Sequence, residues 1–199
     1  MCIYVIGAAT SQRWPVFDAM TAHSGLKIEK VFSDPNPSYP PCLAGEKPSY
    51  AALWGTYGRL WSEALEKCSN DYIVVLEDDI GSLSADTLQR TLARASKVRA
   101  QVVWMDPRTP YTFDCCTMGM AYRRDILPDL IAEFNVSNPR AYWNNTTSCK
   151  TDLYLAAVVQ RHNFLSLKRP VVYTQDDLNA TRFVELYNSS RNRLSSSLK

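Results

Sequence analysis

The stretch DYIVVLEDDI, residues 71–80, constrains the fold more than any other part of the chain. Tyr72 to Leu76 are apolar or aromatic without interruption, and they run straight into Glu77, Asp78 and Asp79. A half-buried strand alternates between apolar and polar residues, whereas a continuous apolar run marks a strand covered on both faces. Such a strand belongs at the centre of a layered sheet. Three adjacent carboxylates repel one another, so a central strand that ends on them calls for a compensating partner. In open α/β sheets ligands bind just outside the carboxyl ends of the strands. The alternative is a solvated acidic turn completed by Gly81.

The flanking sequence alternates in the same way. CIYVIG (2–7) and KIEKVF (27–32) read as strands, with a helix over 14–24 between them that opens at Pro15 and stops at Gly25. SDPNPSYPP (33–41) is a proline-rich loop. Tyr50, Leu53, Trp54, Tyr57, Leu60, Trp61, Ala64, Leu65 and Cys68 recur at helical spacing behind Ser49, a candidate cap. Further helices are predicted over 84–98, over 126–134 with an early interruption at Pro128, and over 150–161. Strands are predicted at 100–106, 117–122 and 170–174. Alternating strands and helices imply an α/β sheet with helices on both faces.

Composition removes several function classes. The net charge is +2, from 22 basic and 20 acidic residues, and the basic residues form no stripe, so nucleic acid is not an expected partner. No apolar run approaches a membrane span. The six cysteines (Cys2, Cys42, Cys68, Cys115, Cys116 and Cys149) form no C-x-x-C pair, and MCIYVIGAATSQ lacks a basic lead. Reduced thiols and a cytoplasmic location are therefore expected. Neither G-x-G-x-x-G nor a P-loop is present.

Several other residues admit two readings. Ala8 and Thr10, in the small-residue loop after the first strand, would let a ligand approach the backbone, and Arg13 could reach a phosphate or base; the loop could equally be plain surface. Asp34 could read a ribose or base, or simply form an Asp-Pro turn. Arg59 could contact a phosphate or pair with Glu63 one helical turn on. Asp152 could act as a base or complement a helix N-terminus; stabilising a sugar's positive charge is a role that only the resemblance given below implies. His162 reads as a helix-terminal cation or, as that resemblance implies, a late metal ligand, and His23 reads as structural. Tyr142 and Trp143, followed by Asn144 to Thr147, have the composition of a sugar-binding loop or of a loop anchored by tryptophan. Asp176-Asp177 could meet an acceptor or start a helix.

SYAALWGTYGRLWSEAL ahead of an apolar strand ending in LEDD resembles glycosyltransferases of the GT-A fold. The resemblance is strongest to families whose metal motif is E-D-D or D-x-D, such as the lipopolysaccharide glycosyltransferases of family 25. TMGMAYRRDIL resembles their G-x-x-Y strand and following helix, SCKTDLYLA places Asp152 where such enzymes often have an acid, and PVVYTQ resembles their late Pro…Gln strand. The likeness spans residues 3–177 in order. It extends to the amino-terminal glycosyltransferase domain of a multidomain chlorella-virus protein, which would place further domains after this one.

This resemblance implies a GT-A-like (Rossmann-like) mixed, mostly parallel sheet with helices on both faces, in one domain over 1–190, with 191–199 a polar tail or linker. It also implies a UDP-sugar donor carrying a hexose or a 6-deoxyhexose such as rhamnose, a glycan acceptor, and Mn2+ or Mg2+ on the diphosphate. By position, Asp79 matches the direct metal ligand, Glu77 the acid facing the ribose or the metal's waters, and Asp78 the donor-sugar contact. Glu77 departs from the commoner Asp, and its extra methylene argues against a second direct metal bond. Two other classes compete: a receiver domain, which also sets acidic pairs at a strand end to bind Mg2+, and a non-catalytic sugar-binding module.

Overall fold

The computed structural model describes residues 1–22, 24–38, 47–106, 119–134 and 151–174. His23, the Trp143 loop, Asp176-Asp177, the tail and Cys42, Cys115, Cys116 and Cys149 lie outside the described residues. In chain order the elements are β1 (Cys2–Gly7), α1 (Trp14–Thr21), β2 (Ile28–Phe32), α2 (Pro48–Lys67), β3 (Tyr72–Glu77), β4 (Ile80–Leu83), α3 (Ala85–Lys97), β5 (Val102–Trp104), β6 (Gly119–Arg123), α4 (Leu127–Glu133), α5 (Thr151–Arg161), β7 (Ser166–Lys168) and β8 (Val172–Thr174).

Six of these strands form one sheet in the order β2-β1-β3-β6-β5-β7, and β4 pairs with β8 in a second, two-stranded sheet. The β1–β2, β1–β3 and β5–β7 pairs are parallel. The β3–β6 and β5–β6 pairs are antiparallel. The sheet is thus mixed and mostly parallel, with β3 inside it as its sequence requires. The antiparallel β6 also separates it from the all-parallel 2-1-3-4-5 sheet of receiver domains.

Strand residues alternate between two cores. Tyr4, Ile6, Ile73, Val75, Met120 and Tyr122 face α2, α4 and α5, where Trp54, Tyr57, Trp61, Phe134 and Tyr154 pack ring against ring. Ile3, Val5, Val74, Leu76 and Ala121 face α1, α3, β4 and β8. Each fully buried large side chain contributes about 1.5–3 kcal/mol, so α2, with Trp54, Tyr57 and Trp61 all at 0% exposure, anchors its layer. Gly119 makes room on the other face. A Cβ there would lie 2.6 Å from a methyl of Val172, so only glycine lets β8 close over the sheet.

Local chemistry explains where the elements depart from expectation. Lys47, not Ser49, precedes α2, and Pro48 occupies its first turn, where the absent N–H is no loss. Pro128 likewise sits in the first turn of α4 and starts that helix after a short 3-10 turn, rather than interrupting it. Ser84 caps α3 by accepting from Thr87 N. The 170–174 strand shortens to β8 and leaves the main sheet.

The expectation of reduced thiols is corrected at two positions. Cys2 at the start of β1 and Cys68 at the end of α2 are joined by a disulfide, with their Cα atoms 6.3 Å apart. The support that free thiols gave to a cytoplasmic location is lost with it. The Tyr4 hydroxyl donates to Cys68 Sγ at 3.0 Å, since the bridged sulfur carries no hydrogen. The bridge spans 66 residues and ties α2 to β1. Reduction with dithiothreitol, or Cys68→Ser, is expected to lower unfolding stability by about 2–4 kcal/mol, read by urea denaturation with and without reductant.

Candidate functional site

Because β1, β2 and β3 run parallel, their carboxyl ends coincide. The register sets Gly7 beside Phe32 and Ile6 beside Glu77. The ladders continue one residue past the strands: Ser33 N donates to Gly7 O at 3.0 Å, and Asp78 N donates to Ile6 O at 3.0 Å. A cleft of about 550 Å3 opens at these ends. Its walls are the loop after β1, the segment after β2, the start of α2 and the acidic end of β3.

At the floor of the cleft, β1 and the β3–β4 turn meet more closely than two side chains could allow. A Cβ on Gly7 would stand 2.6 Å from Asp78 Oδ2 and 2.7 Å from its Cβ and Cγ. Glycine is therefore required here for space. Asp78 is buried, at 8% exposure, and its Oδ1 lies 3.7 Å from Arg13 Nη1. The Arg13 side chain is half exposed, so this pair balances charge at the cleft wall and contributes little to stability.

Strand alternation does not continue through the motif. β3 ends at Glu77, and Asp78 and Asp79 form the turn into β4, which carries Gly81 within it. Glu77 and Asp78 therefore both line the cleft. Asp79 is not part of that lining, and its Oδ1 is sealed from solvent.

The other named residues divide. Ala8, Thr10, Arg13 and Asp34 line the cleft. Ala8 O accepts from Trp14 Nε1 at 2.8 Å and from Ser11 N at 2.9 Å, so the first residue of α1 pins the loop as a turn. Asp34 Oδ1 accepts from Asn36 N at 2.8 Å, the Asx turn expected of Asp-Pro. Arg59 neither lines the cleft nor pairs with Glu63. Its Nη2 donates to Phe32 O at 2.8 Å and holds the end of β2, while Lys67 takes Glu63. Asp152 stands in the first turn of α5, where its Oδ1 accepts from Leu153 N at 3.0 Å.

His162 is committed elsewhere. Its Nε2 lies 2.8 Å from Oε1 of the buried Glu133, which also pairs with Arg161 and accepts from the Tyr154 hydroxyl at 3.1 Å. Burial raises the Glu133 carboxyl, but the His162 hydrogen bond, the Arg161 charge and the Tyr154 hydroxyl together hold it below its ordinary value. Burial, aided by the Glu133 charge, pushes the Tyr154 phenol up to about 12. Sequence reasoning missed Glu133, since a lone Glu near a helix end carries no signal of burial. Gly7 was legible as a strand stop and as part of a small-residue loop open to a ligand, but not as the space that Asp78 occupies.

No protein-family model matches the chain, and no curated protein sequence matches it. Solved structures do match. A glycosyltransferase involved in the glycosylation of the major capsid of PBCV-1 superposes with a TM-score of 0.53 at 11% identity, over 85% of this chain and 83% of that one. A putative nucleotide-diphospho-sugar transferase from Desulfovibrio desulfuricans G20 superposes at 0.51 and 13% identity, over 85% and 79%. A197 from STIV superposes at 0.53 and 12% identity, over 86% and 83%. At these identities the likeness is one of fold. The chain has the GT-A-like fold of nucleotide-diphospho-sugar transferases.

Two outcomes follow from this geometry. Gly7→Ala forces Asp78 out of position and is expected to cost about 1–3 kcal/mol of unfolding stability, read by chemical denaturation, with Gly55→Ala as a control at a helical site with open space. Because the folded Glu133 carboxyl titrates below its unfolded value of 4.5, its contribution is complete above pH 4.5 and lost as pH falls through the lower folded value. Glu133→Gln should therefore be less stable at neutral pH and show a flatter loss of stability below pH 4.5, measured by urea titrations across pH.

Proposed function

We propose that the chain is a divalent-metal-dependent glycosyltransferase. It moves a hexose or 6-deoxyhexose from a UDP-sugar to a glycan hydroxyl. The observation that carries this reading is the Gly7–Asp78 contact, which brings the acidic end of β3 against the small-residue loop of β1 at the carboxyl edge of the sheet. Adjacent parallel strand ends of this kind are where open α/β sheets take nucleotides.

The cleft residues suit the parts of such a donor. Ala8 and Thr10 leave the β1 loop open to close approach, and the Arg13 guanidinium offers forked hydrogen bonds to phosphate. Asp34 faces the ribose or base. Arg59 acts at one remove by fixing Phe32 and hence the segment carrying Asp34. Asp78, fixed by Gly7 and Arg13, contacts the donor sugar. Asp152 deprotonates the acceptor hydroxyl or stabilises positive charge on the sugar.

Hard divalent cations such as Mn2+ and Mg2+ take one or two carboxylates plus substrate phosphates. Among the described residues no group of three or more potential metal ligands is assembled. Glu77 in the cleft lining and Asp79, outside that lining in the β3–β4 turn, are the carboxylates assigned to it. When bound, the metal neutralises charge building on the nucleoside diphosphate as the sugar–phosphate bond breaks.

The test is UDP affinity, by calorimetry, with and without Mn2+. Mn2+ is expected to tighten UDP binding to the wild type by about 5–150-fold, the usual range for coupled ligands. Asp79→Asn should abolish that enhancement, while Asp78→Asn should retain it and lose sugar transfer. Equal enhancement in wild type and Asp79→Asn would overturn the metal assignment. A donor-binding module without activity would show the same coupling but no hydrolysis of UDP-sugar in Mn2+.

A further inference from the structure

A second cleft, of about 630 Å3, lies at the opposite, amino-terminal edge of β3. Arg99, Arg123 and Arg124 meet there with Asp71 and Asp125, an excess of one positive charge over five ionised side chains, and the Ser69 and Ser96 side chains join the lining. Nothing in the donor reading uses this cleft.

Two of the three arginines serve the fold. Arg123 forms a two-pronged pair with Asp125 and donates through Nη1 to Arg99 O at 3.0 Å. Arg124 caps the end of α2, with Nε on Cys68 O at 2.7 Å and Nη2 on Leu65 O at 2.6 Å. Arg99 differs from both. Among the described residues its guanidinium makes no hydrogen bond or ion pair, and its side chain is exposed. Its backbone is left-handed, with φ at 56°, just past the end of α3, where glycine is the relaxed choice. The chain keeps an arginine in a strained position, and that position puts the arginine in the lining of a cleft built by two others.

Fixed backbone, an uncommitted guanidinium and neighbouring hydroxyls match one ligand chemistry. A planar fork pairs two-pronged with tetrahedral oxyanions, and Arg123 and Arg124, already held by their carbonyl and carboxylate partners, need no rearrangement to add their field. Arg94 and Lys97 in the last turn of α3 offset the negative helix end that would otherwise oppose an anion. We propose that this cleft is a binding site for a phosphate-class oxyanion, with Arg99 as its primary contact and Arg123, Arg124, Ser69 and Ser96 around it.

The experiment is a thermal melt of the full chain against inorganic phosphate and, separately, a sugar monophosphate, for wild type, Arg99→Gly, Arg99→Lys and Arg90→Ala. Wild type should gain about 3–6 °C at a phosphate concentration tenfold above its Kd. Arg99→Gly should melt at the same or a higher temperature without phosphate, because strain is relieved, and should lose the gain. Arg99→Lys, which keeps the charge and loses the fork, should gain less. Arg90→Ala should gain as the wild type does, because Arg90 is exposed and lines neither cleft. A stronger response to the sugar monophosphate assigns a phosphorylated small molecule as ligand, and an equal response assigns the free oxyanion. No gain in wild type, an undiminished gain in either Arg99 variant, or a gain lost in Arg90→Ala would overturn the site.

Discussion

The contact between the Asp78 carboxylate and the bare Cα of Gly7 is the constraint on which the working end of the molecule depends. It is possible only because β1 and β3 are parallel neighbours in a register that sets Ile6 beside Glu77. That register is fixed by burial: slipping either strand by one residue would exchange the aromatic core for the aliphatic one along its whole length. The cores on both faces thus position one carboxylate. The carboxylate in turn fills the space where any other residue at position 7 would place a side chain, so the β1 loop and the acidic turn share one wall of the cleft.

The β3–β4 turn is held from its other side as well. β4 begins directly after Asp79 and pairs with β8, and Gly119 admits Val172 so that this small sheet lies on the main one. Ile80 and Leu83 are buried in the same core as Leu76 and Val172. Three adjacent carboxylates would spread if they were free to do so. Here apolar burial on both sides of the turn holds them within a few residues, and the Arg13 charge stands against the middle one.

What the sequence made legible follows from which forces are local. The helices α2, α3 and α5 and the strands β1 to β3 were readable because burial imprints a period on the chain. β4 and β7 were not, because IGSL and SLK are short and carry little β character of their own. Their pairing is decided by partners far along the chain. Pro128 was readable as a breaker or as an opener, and only the preceding 3-10 turn settles that choice. Arg59 shows the same limit. Its local option, Glu63 one turn on, lost to a carbonyl 27 residues away, and Glu63 went to Lys67. The cleft residues on the β1 loop were legible because position at a strand end is a topological property. The placement of Asp79 was not, since alternation held only as far as Glu77.

The two ends of the sheet carry opposite chemistry for one reason. Parallel strands followed by helices point helix C-termini and strand starts toward the same edge, so unpaired carbonyls collect there. Arg124 answers those of Leu65 and Cys68, and Arg123 answers that of Arg99. A cationic edge is thus a by-product of making this fold. What the fold does not require is Arg99. A glycine would satisfy its backbone at φ 56° and expose no charge, and the carbonyl that Arg123 uses would remain. A side chain kept against its own backbone preference, at an edge where structural cations already gather, is the part of that cleft that folding alone leaves unexplained.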